Sequence, residues 1–324
     1  MKLLLRIAGI VLLLAVAVVV GGILYVNFAF PKVSPAADVA IERTEALVER
    51  GKYLANQVMV CVDCHSGRDW SYFSAPIIKG TEGKGGQRFA EELGDVYALN
   101  ITPASLRDWS DGEIIRAITA GVRKNGEALT PIMPYTIYNS MSEEDVRAIV
   151  AYLRELPALD NPDIPAQKVK FPMNLIFKTL PHDANPVPRP KPADTIEYGK
   201  YLSQMAGCEF CHTPQEKGKP LPGMAFAGGL EFPVPSGGVV RTANITPDEK
   251  TGIGEWSKEM FFARFRAFSD SSGRHLKVQP NTFNTVMPWT LYSEMKEEDL
   301  GAIYQYLRTV APVQNAVQTF SAEM

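Results

Sequence analysis

Two stretches of this sequence set thiols beside an imidazole. "VCVDCHS" carries Cys61, Cys64 and His65, and "GCEFCHT" carries Cys208, Cys211 and His212. The 324-residue chain has four cysteines and four histidines, so these two clusters hold all of its thiols and half of its imidazoles. A C-x-x-C pair serves a redox disulfide, half of a zinc site or, where histidine follows at once, covalent attachment of haem. The third use accounts for every residue: two thiols add across the vinyl groups of one haem, and the adjacent histidine faces the iron as its proximal ligand. A four-cysteine zinc site brings its pairs within about 15–20 residues, whereas Cys61 and Cys208 lie 147 apart. A thioredoxin-like pair needs a βαβ setting, which is missing. Structural disulfides suit an exported chain but leave the repeated histidine unexplained.

A haem iron has a second axial position, and a soft thioether suits it in an apolar pocket. Of eleven methionines, Met133 in "PIMPY" and Met287 in "VMPWT" stand in equivalent places before a proline, 68 and 75 residues after His65 and His212. That length of chain can wrap from one haem face to the other. The competing role is a gap-filling core methionine. Met141 and Met295 are also repeated, but they open the last helix of each copy, where a core or capping role is expected.

The elements that must position these residues are themselves duplicated. "ERGKYLANQVMVCVDCH" matches "EYGKYLSQMAGCEFCH", "YALNITP" matches "RTANITP", "WSDGEIIRAI" matches "WSKEMFFARF", and "PIMPYTIYNSMSEEDVRAIVAYLREL" matches "TVMPWTLYSEMKEEDLGAIYQYLRTV". The offset grows from about 147 to 154, which places a longer loop near Ser269–Asn284 of the second copy. Each copy reads as helical: Val146, Ile149, Val150 and Leu153 fall on one stripe of a last helix, as do Leu300, Ile303, Tyr304 and Leu307. Ser110 with Glu113 forms a capping box, whereas Ser257 meets Met260 instead of a glutamate. Gly51 and Gly199 on the first helix would let first and last helices cross closely; Tyr152 and Tyr306 sit on the last. Glycine and proline clusters such as "KGTEGKGG" and "FAGGLEFPVPSGG" read as loops. Nine prolines between Pro157 and Pro192 mark an extended connector, with "MNLIFKTL" apolar enough to drape on a domain. The expected domains are therefore an anchor over 1–31, copy 1 over 40–157, a connector over 158–192 and copy 2 over 193–313.

Ile7 to Phe30 has no charge, and a run of roughly 20 apolar residues crosses a bilayer. A signal peptide has a shorter core of about 7–15 residues, so an uncleaved transmembrane helix is expected, with a cleaved signal peptide as the alternative. Lys2 and Arg6 precede the run and keep the N-terminus cytoplasmic, which puts the rest in the periplasm. A net charge of -3 excludes a strongly basic nucleic-acid binder.

The pattern GKYL, CxxCH, NITP, W, MP and YLR, over residues 45–312, resembles the cytochrome c subunits of bacterial membrane-bound dehydrogenases for alcohols, aldehydes and sugar acids. The resemblance implies an all-α fold: an N-terminal transmembrane helix followed by two tandem class I cytochrome c domains, where many members of that family carry three. It implies two c-type haems and electron transfer without substrate chemistry at the haems. It also implies redox partners such as a dehydrogenase subunit, a quinol-oxidising protein or a terminal oxidase, with tethering to raise their effective concentration. Asn100 and Thr102, Asn244 and Thr246, Trp109 and Trp256 would then line the haem edges and bond propionates; the alternative is a repeated turn with a core tryptophan. His182 and His275 have no counterparts, and a surface position is expected for His182. A dihaem enzyme, a peroxidase or a sulfur-compound oxidase, is the alternative function, and a gas-binding sensor a third. Both need a weak or open iron position, which the paired methionines oppose.

Overall fold

The computed structural model describes residues 1–89 and 91–322. α1 (Lys2–Ala29) is one 28-residue helix with no buried residue. Copy 1 contains α2 (Glu45–Tyr53), which runs into a π-helical turn over Leu54–Val58, then α3 (Cys61–Cys64), α4 (Pro103–Leu106), α5 (Asp111–Ala120), α6 (Tyr135–Tyr138) and α7 (Glu143–Glu155). α8 (Met173–Ile176) lies in the connector. Copy 2 follows as α9 (Thr195–Met205), α10 (Cys208–His212), α11 (Lys258–Arg266), α12 (Ser271–Arg274), α13 (Trp289–Tyr292) and α14 (Glu297–Leu307).

Each copy is built on its first helix crossing its last. Gly51 on α2 meets α7 so closely that a Cβ there would sit 1.8 Å from the Ala148 carbonyl oxygen; on Gly199 it would sit 2.0 Å from that of Ala302. Val146, Ile149, Val150 and Leu153 are buried on α7, as are Leu300, Ile303 and Leu307 on α14. Met141 and Met295 are fully buried core residues. The Ser110–Glu113 capping box is complete, and Ser257 accepts from the Met260 amide alone.

The all-α expectation needs correction, because short strands accompany the helices. β1 (Arg88–Phe89), β2 (Gly94–Tyr97) and β3 (Lys168–Val169) form an antiparallel sheet, β4 (Gln215–Glu216) and β5 (Lys219–Pro220) a hairpin, and β6 (Glu231–Pro233), β7 (Val239–Arg241) and β8 (Phe320–Ser321) a second three-stranded sheet. The longest of these has four residues, too few to show an alternating pattern. One outer strand of each three-stranded sheet, β3 or β8, comes from chain beyond the last helix. The start of the connector closes copy 1 through Gly94↔Val169, and the C-terminal tail closes copy 2 through Val240↔Phe320. The expected connector over 158–192 is thus divided, its first part belonging to the sheet of copy 1.

The copies also embrace reciprocally. The Tyr53 hydroxyl donates to Asp299 Oδ2 at 2.5 Å, and the Tyr201 hydroxyl to Asp145 Oδ2 at 2.8 Å, so each first helix bonds the opening turn of the other copy's last helix.

Candidate functional site

The attachment turns share one backbone shape. The residue before the first cysteine is left-handed in both: Val60 at φ 47° and Gly207 at φ 69°. Glycine suits this conformation, whereas valine resists it. All four thiols are free of disulfides. Among the described residues no three histidines, cysteines, aspartates or glutamates converge as a metal cluster, so the four thiols do not gather as a zinc site would require.

The histidines are held from behind. His65 Nδ1 lies 2.7 Å from the Leu99 carbonyl oxygen, and His212 Nδ1 lies 2.7 Å from that of Ala243. A carbonyl can only accept, so Nδ1 carries the proton and Nε2 keeps its lone pair. Burial pushes both imidazoles below their ordinary pKa, against the pull of these acceptors, and keeps them neutral. A neutral, oriented imidazole with Nε2 available is the form that ligates iron, and with two thiols on the same turn the donor set fits a covalently held haem. The backing loops are duplicated too. The Gly85 amide donates to the His65 carbonyl at 2.8 Å and the Gly228 amide to that of His212 at 2.6 Å. Both glycines have positive φ, and a Cβ would collide with the backbone at Leu99 or Ala243. Ser66 and Thr213 hydroxyls accept from the Gly83 and Phe226 amides across the same loops.

The NITP asparagines brace the protein. Asn100 Oδ1 accepts from the Thr102 amide and hydroxyl, and its Nδ2 donates to the Leu159 carbonyl at 2.6 Å. Asn244 repeats this with Thr246 and the Val313 carbonyl at 2.7 Å, and adds Thr251. Both Nδ2 hydrogens of Asn244 are therefore engaged, which points to the turn-forming role rather than propionate binding. These bonds fasten the chain beyond α7 and α14 to the wall behind the histidines. Trp109 and Trp256 are half-buried against the core; their carbonyls accept from Arg154 and from the Tyr304 hydroxyl. Met133 and Met287 are likewise half-buried against the core, in matching loops where their carbonyls accept from the Tyr135 and Trp289 amides at 2.8 Å. His182 is within 3.3 Å of Asn139, and His275 packs edge-on to Tyr72; neither joins an attachment turn.

The two attachment turns are neighbours. Cys64 and Cys211 lie within electrostatic reach of each other. Burial pushes the phenols of Tyr138 on α6 and Tyr292 on α13 well above the ordinary tyrosine pKa, with smaller contributions from the cysteines of both turns. One link is one-sided. Ser74, in the loop after α3, accepts at Oγ from the Trp289 amide at 2.9 Å and donates to the Met287 carbonyl at 2.6 Å; its amide donates to Asn284 Oδ1. Phe73 stacks on Phe268, and the Phe73 amide donates to the Leu276 carbonyl. The longer second-copy loop thus serves as the dock for copy 1. Arg68 fixes the docking loop by donating to the Ser74 and Ala75 carbonyls and pairing with Asp63 at 3.0 Å. The Asp63 carboxyl is pushed up by burial and pulled back by this guanidinium. Sequence reading missed Ser74, Arg68 and the backing glycines, because only the folded chain shows what they touch.

No protein-family model matches the chain. Among curated proteins it is similar to the cytochrome c subunit of a quinone-dependent alcohol dehydrogenase from Gluconacetobacter polyoxogenes, 29% identical over 90% of this chain and 62% of that protein. The gluconate 2-dehydrogenase cytochrome c subunit of Pantoea cypripedii is 28% identical over 86% of this chain and 62% of its own length. A dihaem cytochrome c-type protein of Cereibacter sphaeroides is 28% identical over 78% of this chain and 83% of its own. The chain spans less than two thirds of the length of the dehydrogenase subunits it matches. Two of these relatives are thus named as cytochrome c subunits of dehydrogenases, and the third as a dihaem cytochrome c.

Proposed function

We propose that the chain is an electron-transfer subunit with two covalently bound c-type haems, one in each copy, tethered to the cytoplasmic membrane by α1 with both copies in the periplasm. The observation that supports this most is the duplicated histidine geometry: a C-x-x-C-H turn with Nδ1 held 2.7 Å from a carbonyl, in both copies. Cys61, Cys64, Cys208 and Cys211 are the attachment residues, His65 and His212 the proximal ligands, and Met133 and Met287 the distal ligands. When bound, haem supplies a one-electron couple. The protein's part is to fix the imidazoles, to present thioethers from the Met-Pro loops and to wall the junction with Tyr138 and Tyr292. Trp109 and Trp256 line the haem edges in this reading, while Asn100 and Asn244 act one layer back, through the turns they brace. The direct hydrogen bonds between the Ser74 loop of copy 1 and the Met287 loop of copy 2 favour exchange between the two centres.

The relatives named as dehydrogenase subunits favour a respiratory dehydrogenase as donor; a quinol-oxidising protein is the other donor, and a terminal oxidase the acceptor, in this proposal. Haem content tests the core of the proposal. Two haems per chain are expected, and one after either Cys61→Ala with Cys64→Ala or Cys208→Ala with Cys211→Ala. Met133→Ala and Met287→Ala should each remove one centre's share of the far-red absorption of methionine-ligated ferric haem. If neither does, the distal assignment fails. Ready carbon monoxide binding by the reduced native protein would turn the reading toward the dihaem enzyme. Co-purification from detergent-solubilised membranes identifies the partner.

A further inference from the structure

The connector folds back onto the end of α1, and it does so with apolar side chains turned outward. Lys178 donates to Asn27 Oδ1 at 2.6 Å, in the last turn of α1. Further on, Asp183 accepts from the Ser34 amide at 2.6 Å and from its hydroxyl at 2.9 Å. The connector is thereby clamped to both sides of the point where the chain leaves α1. Ile23, Val26, Ala29 and Phe30 are the half-buried residues of that end, whereas the rest of α1 is exposed.

The clamped segment leaves several of its own apolar residues exposed. "MNLIFKTL" is expected to drape onto a domain, yet of its side chains only Phe177 is buried. Phe171 is 70% exposed, Ile176 45% and Leu180 39%. Lys32 and Lys168 are exposed in the flanking chain. Large apolar side chains beside lysines, at the end of an apolar helix, are the composition that lies at a headgroup boundary. Depth agrees. The 28 residues of α1 span roughly 42 Å, against a hydrocarbon core of about 30 Å, so its last turns reach the interface.

We infer that residues 171–180 form a membrane foot: Phe171, Ile176 and Leu180 enter the headgroup–acyl boundary of the leaflet from which the chain emerges, with Lys32 and Lys168 toward anionic headgroups. The foot rests on the reading of α1 as a membrane span. It gives the connector a second attachment besides α1 and fixes the height of copy 1, whose sheet it enters through β3, above the bilayer.

The full chain in vesicles of phosphatidylethanolamine and phosphatidylglycerol tests this. A polarity-sensitive dye is placed on Ile176→Cys, on Val18→Cys within α1, and on Lys200→Cys, an exposed site on α9. Emission is compared with and without nitroxide-labelled lipid, a ratio that cancels quenching by haem, and haem content reports folding of each variant. The foot predicts blue-shifted, lipid-quenched emission at 176 and 18 and none at 200. If 176 behaves like 200 while 18 is quenched, the foot is wrong and that patch faces water or another protein. If 18 is not quenched, the span reading fails and the foot falls with it, whatever position 176 shows, because no leaflet then receives the end of α1.

Discussion

The two copies share a site and differ in what holds it. In copy 1 a β-branched Val60 is forced into the left-handed turn, and Asp63 between the cysteines pairs with Arg68 at 3.0 Å. In copy 2 the same two positions are Gly207, which takes that backbone without strain, and Phe210, whose ring is 41% exposed. The buried carboxylates that open the last helices differ likewise. Asp145 is gripped by Arg50, Arg189 and the Tyr201 hydroxyl. Asp299 receives the Tyr53 hydroxyl at Oδ2, and among the described residues its Oδ1 has no hydrogen-bond partner. A repeat conserves the bonds that orient histidine and is free to vary the shell around them, and here the variation couples copy 1 to copy 2.

The largest expected effect tests what the copies share. Gly51→Val and Gly199→Val each drive a side chain into the backbone of the facing helix, and each should cost at least about 3 kcal/mol. Urea unfolding and haem content read this; a mild effect in one copy alone would break the equivalence of the two helix crossings. Arg68→Ala should be one-sided. It leaves Asp63 buried without its cation, a loss of about 3 kcal/mol, and it frees the docking loop. Copy 1 should lose haem incorporation while copy 2 keeps its own, as mass spectrometry of proteolytic haem peptides can show.

Tyr53→Phe and Tyr201→Phe sharpen the interface comparison. Hydrogen bonds to charged groups are worth about 1.5–3 kcal/mol. Tyr53→Phe should lie at the upper end, since Asp299 lacks the guanidiniums that surround Asp145. Both phenols are raised above the ordinary tyrosine pKa, first by burial and then by their aspartates. A raised pKa means the bond's stability is fully present below about pH 10 and is lost as pH climbs toward the folded-state value. The gap in melting temperature between native protein and Tyr53→Phe should therefore be flat up to about pH 10 and narrow above it. Smallest is Ser74→Ala, which removes two neutral hydrogen bonds, about 1 kcal/mol each. Its mark should be spectroscopic: a changed methionine–iron signature for the centre served by Met287, with the Met133 centre unaltered. Equal changes in both would show that the Ser74 link is not directional.

Much of the site was legible because covalent chemistry and repetition leave fixed spacings. The two C-x-x-C-H runs, the Met-Pro pairs, the apolar stripes of α7 and α14, and Gly51 with Gly199 all stand in the sequence as matched positions. Asn100 and Asn244 were legible as repeated, but their role was not, since an amide can bond a propionate or a carbonyl and only the partner decides. The outer strands β3 and β8 were illegible for another reason. Two residues carry no period, and both strands lie beyond the last helix of their copy, outside the aligned blocks, while their partners β2 and β7 lie before it.

By itself the sequence singled out the candidate binding atoms: four thiols and two imidazoles at one repeated spacing, and two thioethers 68 and 75 residues further on, on a chain that repeats once and begins with an apolar run. Those are properties of residue identity and spacing, and they survive without coordinates. Tertiary structure decided the rest. It chose the carbonyls of Leu99 and Ala243, backbone atoms with no sequence signature, to set the histidine tautomer. It turned the seven-residue difference in offset into a dock for Ser74, and it folded the connector against α1. Each of these depends on contacts between distant parts of the chain, whose geometry is fixed by packing rather than by local pattern.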